Sequence, residues 1–62
     1  MKIKKTYRDE EKWLTITEKE FLSNTEDKGY FKEGTALKLL KDLEPNSDDY
    51  LQTAWAYFRW EQ

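Results

Sequence analysis

Sixty-two residues allow one small domain, and a chain of that length buries only about 60% of its unfolded surface. With no cysteine and no histidine, disulfide staples, thiolate metal sites and the usual zinc ligands are excluded. The net charge of −2 is too small to select a partner, whereas ten aromatic residues supply the area a small core needs and argue against disorder.

Charge is unevenly spread. The first eight residues carry Lys2, Lys4, Lys5 and Arg8 without an acid, while residues 44–62 carry Glu44, Asp48, Asp49 and Glu61 against Arg59 alone. No stretch approaches the length of a membrane-spanning helix. Met1 to Lys5 is charged rather than apolar, so no signal peptide is expected. A cytoplasmic location fits the lack of cysteine.

Along the chain, Lys2 to Tyr7 alternates, with Ile3 and Tyr7 on one side and Lys2, Lys4 and Thr6 on the other. That is the pattern of a half-solvated strand. Arg8 to Glu11 is a polar break. Lys12 to Thr17 is rich in β-branched and aromatic residues and sets Leu14 and Ile16 against Trp13 and Thr15. The two segments read as an antiparallel β-hairpin.

Thr17-Glu18-Lys19-Glu20 matches a capping box, so a short helix is expected over about residues 18–25, presenting Phe21 and Leu22. Gly29 suits a left-handed cap or turn. Residues 30–33 are too few to assign and are left open as a third strand or a loop. Thr35 is the expected cap of the clearest amphipathic helix, in which Ala36, Leu37, Leu39, Leu40 and Leu43 share one sector. Pro45 bars that helix from continuing.

The most unusual stretch follows. Leu51, Ala54, Trp55 and Phe58 stand at i, i+3, i+4 and i+7, after the capping run Asn46-Ser47-Asp48-Asp49. This predicts a second main helix, aromatic around most of its circumference. Read as a strand, the same residues would place Leu51, Thr53, Trp55 and Tyr57 together, and the aromatic content favours that reading. The alanines and the acidic run favour the helix. Tyr50, Tyr57 and Trp60 extend its apolar sector beyond what a small core needs, which marks them as candidate protein-binding residues.

Little in the chain resembles catalytic equipment. The serines and threonines have no histidine partner. The acids at Asp9-Glu10-Glu11, Glu26-Asp27 and Asp48-Asp49 fall in turns or first helical turns, where solvation and the helix dipole account for them. Two glycines cannot build a phosphate loop. No enzymatic activity and no cofactor or metal is expected. About ten residues separate the first two helices, where a helix-turn-helix needs three or four.

The expected fold is α+β over a single domain, residues 1–62. A small N-terminal antiparallel β-hairpin or three-stranded sheet packs against two main helices, with one short helix between. The expected core is Ile3, Leu14, Ile16, Phe21, Leu22, Leu37, Leu40, Leu43, Leu51, Ala54, Trp55 and Phe58. The expected function is a small non-enzymatic protein-interaction module of accessory or regulatory kind, working through Tyr50, Tyr57 and Trp60. Two alternatives stand beside it. One is a nucleic-acid binder using Lys2, Lys4, Lys5, Arg8 and Lys12 with Tyr7 and Trp13 interleaved. The other is a homodimer whose aromatic helices cover each other.

Overall fold

The computed structural model describes all residues, 1–62. In it the C-terminal aromatic stretch is not a helix but the centre of a sheet. The elements run β1 (Lys2–Tyr7), β2 (Leu14–Ile16), α1 (Glu18–Asn24), α2 (Ala36–Lys41), β3 (Leu51–Gln52) and β4 (Ala56–Glu61). They form a small α+β domain with one four-stranded antiparallel sheet in the order β2-β1-β4-β3. The two ends of the chain supply its two central strands, with Lys2 opposite Glu61 and Tyr7 opposite Ala56.

Two causes displace the expected helix over the C-terminal stretch. Ala56, Phe58 and Trp60 alternate strictly with Tyr57, Arg59 and Glu61, and that two-residue period matches a sheet with one face covered. The second cause is non-local: β1 is central only if both of its edges are paired, and β4 supplies the longer partner, six residues against three. The β3–β4 turn is closed by Thr53, whose amide donates to the Ala56 carbonyl at 2.9 Å while its Oγ1 accepts the Ala56 amide at 3.1 Å. Arg8 clips the same turn, its amide donating to Trp55 O and its Nη1 to Ala54 O, both at 3.1 Å.

Helix α1 begins as its sequence dictates, with Thr17 Oγ1 accepting the Glu20 amide at 3.0 Å. Helix α2 does not. The Thr35 side chain makes no cap bond; its hydroxyl donates to Lys32 O. The cap comes from Glu26 instead, whose Oε1 and Oε2 accept the amides of Gly34 and Ala36 at 2.9 and 3.0 Å. Gly29 and Gly34 have φ of 79° and 84°, and Asn46 has φ of 61°. Residues 30–33 are not a strand: Phe31 packs against the core and Tyr30 is partly exposed.

The core lies between the helices and one face of the sheet. It comprises Ile3, Phe21, Ala36, Leu40, Ala56 and Phe58, with Phe21 set edge-on to Phe58 at 5.2 Å between centroids. Of the expected core, Leu14 is 42% exposed at the edge strand and Ala54 is exposed in the turn. Ile16, Leu22, Leu37, Leu43, Leu51 and Trp55 are half-buried around its margin. The two fully buried alanines, Ala36 and Ala56, were absent from the expected core. Both lie in the core cluster with Phe21, Leu40 and Phe58.

Candidate functional surface

Strand parity sorts the side chains onto two faces with different fates. Ile3, Lys5 and Tyr7 of β1 share a face with Ile16, Leu51, Ala56, Phe58 and Trp60, and on that face lie α1 and α2. Lys2, Lys4 and Thr6 share the opposite face with Thr15, Gln52, Tyr57, Arg59 and Glu61. No helix covers this second face. Only the loop of residues 8–13 reaches over one end of it, where Thr6 Oγ1 donates to Glu10 O at 2.9 Å and Thr6 is buried.

The helix-free face carries a cluster of aromatic and basic groups. Trp13, immediately before β2, lies against Arg59 of β4 with the guanidinium carbon 4.2 Å from the ring centroid. Tyr57 meets Tyr50 edge-on at 4.8 Å. Lys4 stands between β2 and β4, opposite Thr15 on one side and Arg59 on the other, and its Nζ donates to Thr15 Oγ1. Arg59 Nε is buried without an acceptor, and the guanidinium forms no hydrogen bond or ion pair within the chain.

The three residues proposed from the aromatic stretch therefore separate. Tyr50 and Tyr57 come together on the helix-free face. Trp60 points to the other side, where its Nε1 donates to Leu43 O at 3.0 Å and its ring packs against the core. The basic set separates too. Lys2 and Lys4 lie on the helix-free face and Lys12 is exposed in the 8–13 loop. Arg8 is spent on the β3–β4 turn. Lys5 is 7% exposed beneath the helices, its Nζ donating to Asn24 Oδ1 at 2.9 Å and sitting 4.6 Å from the Tyr7 ring centroid.

Trp13 and Arg59 were not paired by sequence reasoning. The signal was present only as parity: both fall on the polar side of their strands, where an aromatic ring has no core to fill.

A second aromatic group closes the end of the sheet. Trp55 stacks on Tyr7, receives Lys28 Nζ 4.2 Å from its ring centroid and donates from Nε1 to Tyr30 Oη at 2.9 Å. These contacts are all internal and tie residues 25–31 to the sheet. Two open depressions indent the surface, one acidic beside α1 and one at the Arg8–Glu10 and Ala54–Trp55 turns. No helix is long and apolar enough to cross a membrane. No protein-family model matches the chain, and no similar protein was found among curated sequences or solved structures.

Proposed function

We propose that the protein is a small non-enzymatic module that binds another protein through the helix-free face of its sheet. Trp13, Tyr50, Tyr57 and Arg59 are its contact residues. The observation that carries this reading is their grouping on a face that no helix covers. Trp, Tyr and Arg are the residue types that dominate binding energy at protein interfaces. Here each ring already leans on a neighbour, which lowers the conformational entropy lost on docking.

The test joins capture to mutation. Tagged protein is mixed with nuclease-treated extract of its own cells, in parallel with Trp13→Ala and Tyr57→Ala. A partner retained by the wild type and lost by both folded variants supports the reading. Retention unchanged by either variant removes its basis.

One observation favours a rival on the same face, since Lys2 and Lys4 lie beside Trp13 and Arg59. Single-stranded nucleic acid stacks on rings and is held by cations. That reading requires retention that vanishes with nuclease and affinity that falls steeply with salt. Self-association through this face would appear as a concentration-dependent dimer in sedimentation, abolished by the same two substitutions.

A further inference from the structure

Resting on the reading above, we infer that the segment docking on the helix-free face is acidic, and that one of its carboxylates is received between Arg59 and Lys4. Three observations converge on this. The first is that Arg59 is unspent. A guanidinium offers five donors in a planar fork that fits a carboxylate. Yet Arg59 donates to nothing in the chain, and its Nε is already desolvated without an acceptor. Trp13 packs against the group, with the guanidinium carbon 4.2 Å from the ring centroid.

The second concerns register. Lys4 and Arg59 are directly opposed on the two central strands. Like charges in that relation repel, and sheets ordinarily avoid it. The next cross-strand pair on this face, Lys2 with Glu61, joins opposite charges. The Lys4–Arg59 pair, by contrast, has no acid opposite it in the register. An incoming carboxylate relieves the repulsion as it binds.

The third is the distribution of charge between layers. Residues 17–50, which carry both helices, hold nine acids against five lysines. The remaining residues, which carry all four strands, hold six basic groups against four acids. The strand-bearing residues are thus net positive within an acidic molecule, and on the helix-free face the strands themselves carry Lys2, Lys4 and Arg59 against Glu61. A carboxylate-bearing protein segment needs only one or two cations, which this face provides. A nucleic acid brings a phosphate per nucleotide, and Lys2, Lys4 and Arg59, offset by Glu61, are few against that repeat.

Selection of a displayed random peptide library on the immobilised protein tests the inference. Enriched peptides should carry Asp or Glu beside aliphatic or aromatic residues. In a synthetic copy of one, Glu→Gln at the key position should weaken binding roughly tenfold, as expected for a partly desolvated charge pair. In the Arg59→Gln protein that change should cost nothing more. Arg59→Lys should recover only part of the difference, because it keeps the charge and loses the fork. Thermal melts of each variant establish that it is folded.

Enrichment of peptides without acids overturns the inference, as does no enrichment, equal binding by Arg59→Gln, or tighter binding of oligothymidylate than of any peptide. If Trp13→Ala and Tyr57→Ala abolish peptide binding while Arg59→Gln does not, the inference fails and the interaction face stands. If none of the three matters, the face itself is the wrong surface.

Discussion

Glu26 caps a helix it does not belong to: its Oε2 accepts the amide of Ala36 at 3.0 Å, at the start of α2, while its Oε1 accepts the amide of Gly34 at 2.9 Å. One carboxylate thereby joins the end of the α1 turn to the start of α2. It also places negative charge at the positive end of the second helix.

Glu26→Ala should therefore lower unfolding free energy by about 1–2 kcal/mol in urea titration, the range for losing a cap on a partly exposed helix end. Glu26→Gln retains one acceptor and should lose about half as much. Thr35→Ala, at the position that looks like the cap in sequence, should cost less than Glu26→Ala. The reverse order would show that the carboxylate bridge contributes little.

Trp60 and Tyr50 were grouped by sequence and are separated by structure. Trp60→Ala removes a ring packed on the core and leaves Leu43 O without its donor. It should destabilise by about 2–4 kcal/mol, below the cost of a fully buried tryptophan because the ring is only half-buried. Tyr50, 49% exposed, should tolerate Tyr50→Ala within about 0.5 kcal/mol. Thermal denaturation of the two variants separates them directly, and similar melting temperatures would contradict the assignment of faces.

Lys5 is the one basic residue buried in the structure. Its stem crosses the core face between Ile3 and Tyr7, and its ammonium group meets Asn24 Oδ1 and the Tyr7 ring. Lys5→Ala should cost about 2–3 kcal/mol, through a cavity and an orphaned Asn24 oxygen. Lys5→Met keeps the apolar stem and should recover a good part of that loss. A neutral Lys5→Ala in a denaturant series would place the side chain in solvent.

Amide exchange should rank the strands. β1 and β4 pair along their full lengths at the centre of the sheet, whereas β2 is a three-residue edge and β3 has two residues. The slowest-exchanging amides should lie in β1 and β4, with those of the 8–13 loop and β3 the first to exchange. Slow exchange spread at helical spacing through residues 50–60 would restore the helix that the hydrophobic pattern first suggests.

The separation between what was legible and what was not follows the reach of the interactions involved. Sequence alone determined the α+β class, the strand period at Lys2–Tyr7, the Thr17 cap and the left-handed Gly29, because each depends on residues within one turn or one pleat of each other. It also singled out Tyr50 and Tyr57, though as one side of a helix. Residues 51–60 satisfy a helical stripe through Leu51, Ala54, Trp55 and Phe58 and a strand alternation through Ala56, Phe58 and Trp60, so local pattern could not choose between them. Tertiary structure chose, since β4 finds its partner in β1 at the other end of the chain. That same register brought Lys4 opposite Arg59, left Trp13 on Arg59 and turned Trp60 inward. A one-residue change of register would have reversed every one of those placements; the alternation within each strand is local, but which residues stand opposite one another across β1 and β4 is not.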